Sequence, residues 1–461
     1  MARHLSVSIC LPDVYSGEAL MALSQEPFKG CSLPLVRTLE VRFSFYKDRE
    51  AVPRDAGVNV GAFVRRIQQL FPKPTLIKLV GGQHPWERVG ATASFFDSLV
   101  AQLIQGINRV ELSSNTSGYC YFPQVDTICG LTHFGCNFEF NREQFMRLMR
   151  LNAPTLLSLS ITTRSGNDLS GIIQGIDGGF IEYPRLHSLK LMISGAAPEQ
   201  CRFHGAVPFP SLRRLMCGID YPFGDDLALF RGNVATLELL QLPLTRELAA
   251  ALLHRNVFTP TSHPKLRYVM LRPIQGMIPV NHADNPEIVQ LMLDFAPNAA
   301  VRKITNWHFK KLVPPVLSLF DKHTCLQVLA LPDLRLSIWD AMTLVRSLPQ
   351  LSDFYAKAPR LGPLPAGVSR RKLAVHACSN YSSAGSRFRF WHAGDDDADY
   401  LNGAAKPFLL LALAFSSFER VVIPAYRHDM FMTSVEKAMD VTEFKPNVLS
   451  LRRLLRSRRG L

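Results

Sequence analysis

The chain has 461 residues and a net charge of +14, with 47% hydrophobic and 20% charged residues. That apolar content supplies a buried core and excludes a disordered chain. The longest uninterrupted apolar run, Phe408 to Phe415, is far below the length of a bilayer-spanning helix, so the basic balance points to an acidic protein face or to nucleic acid and not to a membrane.

From the N-terminus onward one short pattern returns: Pro-x-Leu-x-x-Leu-x-Leu, with other apolar residues standing in at the Leu positions. Ala2-Leu5-Val7 is a first copy without the proline, and Pro34-Val36-Leu39-Val41 follows. The helical spacing of Phe63, Val64, Ile67, Leu70 and Phe71 then predicts an amphipathic helix. Pro74-Leu76-Leu79 is read as the next strand, and Phe95, Phe96, Leu99, Val100, Leu103 and Ile104 as the next helix. Ile107-Val110-Leu112, Pro123-Val125-Ile128, Pro154-Leu156-Leu159-Ile161 and Pro184-Leu186-Leu189-Leu191 continue the series. It goes on through Pro210-Leu212-Leu215-Cys217, Leu237-Leu240-Leu242 and Pro264-Leu266-Val269-Leu271.

Asn285-Pro286 opens a predicted helix carrying Ile288, Val289, Leu291, Met292 and Phe295. Val301-Ile304 and Leu326-Leu329-Leu331 are further strands. Ser337 is placed to cap a helix bearing Ile338, Met342, Val345 and Leu348, which runs into Pro349-Leu351-Phe354. Residues 379–403 read as a Ser/Gly-rich loop insertion holding Asp395, Asp396, Asp397 and Asp399, a solvated loop without the ligand spacing of a calcium site. Phe418-Val421-Ile423 is the last copy. Arg452, Arg453, Arg456, Arg458 and Arg459 then give the C-terminus a basic face.

In each copy the last two apolar positions lie two apart, so in a strand they face one side. The upstream proline stops the preceding helix. Strand followed by helix, repeated at intervals of about 25 to 31 residues, demands parallel neighbouring strands and stacking units. The expected fold is therefore α/β: a solenoid over 1–365, followed at 366–461 by irregular C-terminal repeats or a capping region.

Full copies at 184–191 and 264–271 carry a resemblance to leucine-rich-repeat proteins of the ribonuclease-inhibitor-like class. More narrowly, the chain is similar to the irregular arrays that follow an F-box, although no F-box is visible before the first copy. The resemblance implies a horseshoe with a continuous parallel sheet on its concave face and helices on its convex face. It also implies a scaffold of the substrate-receptor type found in ubiquitin ligases, with an adaptor contact only where an F-box is present.

No Gly-x-Ser-x-Gly elbow, His-Glu-x-x-His helix, Walker loop or kinase signature set occurs. No catalytic residue, metal ligand or cofactor is expected, and the chain reads as non-enzymatic. Nine irregularly spaced cysteines without a Cys-x-x-Cys pair fit reduced thiols. With no secretory leader at the start, they place the protein in the cytoplasm or nucleus. The expected partner is a protein, with nucleic acid as the alternative.

Strand positions between the apolar ones should form two outward columns. The first is read as Lys78, Arg109, Ser158, Ser188, Arg214, Leu239, Tyr268 and Lys303, and the second as Glu111, Ser160, Lys190, Met216, Gln241, Met270 and Thr305. Lys190, Arg214, Met216, Tyr268 and Met270 are the candidate partner-binding residues, an apolar centre with basic edges.

Overall fold

Five prolines of the pattern do the same job in a turn. In the computed structural model the backbone N–H of Val36 bonds to Leu33 O, Leu186 to Tyr183 O, Leu212 to Phe209 O, Leu266 to His263 O and Leu351 to Leu348 O. Each is the closing bond of a four-residue turn. Pro34, Pro184, Pro210, Pro264 and Pro349 stand at its second position, where a fixed φ near −65° is required. The turn aims the chain into a strand, and the first apolar residue of the pattern closes it from the buried side.

The described residues are 4–26, 28–44, 55–81, 90–114, 128–137, 142–163, 172, 179–193, 208–218, 230, 235–244, 248, 252, 254–255, 257–273, 296, 299–304, 323, 325–360, 387–391 and 420–422. They fall into two compact units, Met1–Leu237 and Glu238–Leu461.

In the first unit the strands are β1 (His4–Cys10), β2 (Thr38–Ser44), β3 (Leu76–Gly81), β4 (Arg109–Ser114), β5 (His133–Cys136), β6 (Ser158–Thr163), β7 (Ser188–Ile193) and β8 (Arg214–Cys217). Each pairs with the next, always parallel. The helices are α1 (Leu11–Ser16), α2 (Glu18–Ser24), α3 (Ala56–Leu70), α4 (Gly90–Ile104) and α5 (Arg142–Asn152). The second unit has β9 (Leu239–Leu244), β10 (Tyr268–Pro273), β11 (Val301–Ile304), β12 (Val328–Ser337), β13 (Asp353–Arg360), β14 (Arg387–Trp391) and β15 (Arg420–Val422), again parallel and in sequence order. Its described helix, α6 (Ile338–Ser347), packs against β12 and β13.

A second regularity sets the register. Neighbouring backbone N–H groups converge on one carbonyl of the preceding unit. Thr132 and His133 bond to Asn108 O, Leu157 and Ser158 to Thr132 O, His187 and Ser188 to Leu157 O, and Arg213 and Arg214 to His187 O. The same fork recurs at Glu238 O, Ala300 O and Gln327 O. Hydroxyls reinforce it: Thr75 Oγ1 donates to Arg37 O at 3.1 Å, Thr132 Oγ1 to Asn108 O at 3.0 Å and Ser352 Oγ to Gln327 O at 3.0 Å.

The inward columns are dry. Leu39, Ile77, Val110, Phe134, Leu159, Leu189 and Leu215 form one, and Val41, Leu79, Leu112, Cys136, Ile161, Leu191 and Cys217 the next, all buried. Val269 and Leu271, with Leu240 and Leu242 beside them, continue the pattern in the second unit. Helix α3 buries Phe63, Val64, Ile67 and Leu70, and α4 buries Leu99, Val100, Leu103 and Ile104, as their spacing predicts. Truncating any one of these core leucines to alanine costs about 2–5 kcal/mol.

Four strand readings are corrected. In the interval read as Pro123-Val125-Ile128 the strand is β5, carried by Leu131, Phe134 and Cys136; positions 123 and 125 lie outside the described residues. The inner pair of β3 is Ile77 and Leu79 rather than Leu76 and Leu79, so Pro72 is the pattern's proline and Lys78 moves to the second outward column, opposite Glu111. On β11, Arg302 stands in register with Val269 and Leu329; Ala299 takes the first apolar position, and Lys303 also moves to the second column, beside Met270. An arginine at an apolar position is what displaced that frame. Within 379–403, Arg387–Trp391 is a strand paired with β13, and its Arg-Phe-Arg-Phe-Trp alternation is a period-two signal.

The expected boundary at residue 365 falls inside the second unit. The predicted helix at 285–295, the run Asp395 to Asp399, Thr305 and the basic tail lie outside the described residues.

Candidate functional site

On the face opposite the dry columns the strands present their alternate residues. In the first unit, one outward column passes through Arg109, His133, Ser158, Ser188 and Arg214, and the next through Lys78, Glu111, Gly135, Ser160, Lys190 and Met216. Lys190, Arg214 and Met216 are thereby brought together on β7 and β8, with Lys190 and Met216 directly opposite each other. Tyr268 and Met270 share β10 in the second unit. Tyr268 is half-buried, and that burial raises its phenol above the ordinary range. Met270 is 9% exposed and Gln241 beside it 8%, so this part of the column is closely packed.

A groove of about 350 Å³ crosses β4 to β7. Its cause is a difference in side-chain length. Gly135 on β5 lies in register between Glu111 and Ser160, while β6 contributes only Ser158, Ser160 and Thr162. Long side chains on the flanking strands, Arg109 and Glu111 on β4 and Lys190 on β7, make the rims. A Cβ added to Gly135 would stand 3.2 Å from Cγ of Glu111, so glycine keeps the floor low. Ser113 and Asn137 complete a lining rich in hydroxyl and amide groups.

The charges are unequally occupied. Glu111 is paired with Lys78 at 2.6 Å. Glu40 is held by Arg42 at 2.6 Å and by Ser6 and His4, and the Arg42 hydrogen bond keeps its carboxyl below the usual carboxylate range. Among the described residues Arg109, Lys190 and Arg214 take part in no ion pair. Burial, and secondarily the Arg109 guanidinium, lower the affinity of His133 for a proton. Ser158 stands beside His133 in register, yet no hydrogen bond joins them; His133 Nδ1 lies 2.9 Å from Thr132 Oγ1. Among the described residues no group of three His, Cys, Asp or Glu side chains is placed to hold a metal, and no helix is long and apolar enough to cross a membrane.

Sequence reasoning placed Lys190, Arg214 and Met216 on the outward face but missed the trough beside them, because it set the β5 strand too early and never reached His133 and Gly135. The signal was available in Leu131-x-x-Phe134-x-Cys136.

No family model matches the chain, and no curated protein matches it. Among solved structures, the crystal structure of a Bacteroides fragilis protein aligns with 76% of this chain and 73% of that chain, at 12% identity and a TM-score of 0.27. At that TM-score the likeness adds nothing to the fold or to the site.

Proposed function

We propose that the protein is a non-enzymatic leucine-rich-repeat-like solenoid, a horseshoe of the ribonuclease-inhibitor-like kind, that binds a protein partner on the outward face of its parallel sheet. One observation carries this reading. Strict register lines up outward side chains across consecutive strands, and among the described residues Arg109, Lys190 and Arg214 take part in no ion pair. A sheet displaying cations on its outward face, with Met216 beside Lys190, suits an acidic protein surface with an apolar centre. The ubiquitin-ligase substrate-receptor role belongs to the same proposal, as the use to which such a face is put when an adaptor module is attached.

Replacing Arg214 with alanine and, separately, Tyr268 with alanine tests the face. Affinity purification of the full chain from its native cells, followed by mass spectrometry, should retain a protein partner that one or both variants lose. Unchanged retention by both variants rejects this patch. Co-purified nucleic acid in place of protein favours the alternative reading, in which the basic surface holds phosphates.

A further inference from the structure

The trough over β5 and β6 is more selective than a general basic surface. We infer that it receives an extended acidic peptide segment of the partner, with two carboxylates four residues apart that meet Arg109 at one rim and Lys190 at the other. The inference rests on the recognition reading above and narrows it to a ligand.

Arg109 is on β4 and Lys190 on β7, three strand spacings away and one outward column further along. Strand spacing and rise put their Cα atoms roughly 15 Å apart. An extended peptide advances about 3.3 Å per residue, so positions i and i+4 are separated by about 13 Å and point to the same side. Spacings of three or five residues turn one carboxylate away from the sheet. The length and flexibility of Arg and Lys side chains close the remaining gap.

Between the rims the floor is low at Gly135 and lined by Ser158, Ser160 and Thr162. Hydroxyls of this kind both donate and accept, which suits the alternating N–H and C=O groups of a peptide backbone. Glu111 stands on the β4 rim and leans over the floor, its Cγ 3.2 Å from where a Cβ on Gly135 would be, so it restricts the segment just inside that rim. It lines the groove while paired to Lys78, so a third carboxylate over Gly135, between the two ends, would meet a negative neighbour. The preferred sequence is acidic, three uncharged residues, acidic.

Fluorescence anisotropy with the full chain and a labelled synthetic peptide holding a Glu-Ser-Gly-Ser-Glu core tests this. Comparison peptides carry Gln at both ends, a spacing of three, or Glu at the centre; a single-stranded oligonucleotide is the fourth probe. The Glu-Ser-Gly-Ser-Glu peptide should bind best, and Arg109→Ala or Lys190→Ala should each weaken it about tenfold, the size of one lost charge-assisted contact. Arg109→Lys should restore most of the loss, which separates charge from folding. Equal binding of the Gln peptide, indifference to spacing, or no effect of the double alanine variant would each overturn the assignment. So would an oligonucleotide bound more tightly and lost in the same variants, which would make the trough a phosphate site. If the peptide fails while Arg214→Ala still abolishes partner retention, only the trough assignment falls. If the peptide binds while retention ignores Arg214 and Tyr268, the broader patch is the part that is wrong.

Discussion

Asn152 is fully buried, and every polar atom of its side chain is engaged. Oδ1 accepts the Leu131 N–H at 2.9 Å, and Nδ2 donates to Leu148 O at 2.8 Å and to Ile128 O at 2.7 Å. The last residue of α5 thus ties down the segment that leads into β5, the floor of the trough. Asn152→Ala takes a partner from the buried Leu131 N–H and from the carbonyls of Leu148 and Ile128, and a buried group left unsatisfied costs about 1–3 kcal/mol. A loss of about 3 kcal/mol in urea denaturation is expected; a loss below about 1 kcal/mol would mean that water replaces the side chain.

His133 makes a second prediction at this scale. Burial and the Arg109 guanidinium set its proton affinity in the folded state below the ordinary value of 6.5. Arg109 and Glu111 on β4 are the charged neighbours in these columns, and β6 offers only Ser158 and Ser160. The unfolded chain therefore takes up the proton first as pH falls, and stability drops from about pH 7 downward until the folded imidazole is protonated as well. His133→Gln should flatten that part of the stability–pH curve, below about pH 7. An identical curve for the variant would remove His133 from the account. Neither role was legible in the sequence, because a buried asparagine at a helix end and a histidine on a four-residue strand carry no local signature.

At the scale of elements, the spacing rules read helices better than short strands. Helices α3 and α4 buried the faces that their apolar spacing indicated, because a helix repeats its signal over fifteen residues. Strand β5 offers only four residues, and the frame slipped to a proline ten positions upstream of His133. Strand β11 slipped because Arg302 occupies a register position held by Val269 and Leu329 on its neighbours. Ser337 shows the opposite case, where a local rule held. Its Oγ accepts the Asp340 N–H at 3.1 Å and donates to the Asp340 carboxylate at 2.6 Å, which caps α6. Ser337→Ala should destabilise the protein by about 1 kcal/mol, with Ser337→Thr close to the parent. A thermal melt that ranks the two variants equally would show that the cap contributes nothing.

For the whole molecule, the net charge of +14 invites a nucleic-acid reading, and the salt dependence of binding tests it. Arg42 and Lys78 are already engaged by Glu40 and Glu111. On the outward face of the first unit's strands, the described lysines and arginines that form no ion pair with a described carboxylate are Arg109, Lys190 and Arg214, spread singly over β4, β7 and β8. A surface with about three phosphate contacts gives a log–log salt slope near −2 to −3, so raising salt from 50 to 200 mM weakens DNA binding by only about 20- to 50-fold. A surface built to track a phosphate backbone, with six to ten contacts, loses about 10³ to 10⁵ over the same interval. Titration of a labelled oligonucleotide across that range should therefore return a slope shallower than about −3. A slope steeper than about −5 would require a continuous phosphate-binding surface that these three residues do not provide, and would turn attention to the basic stretch at 452–459.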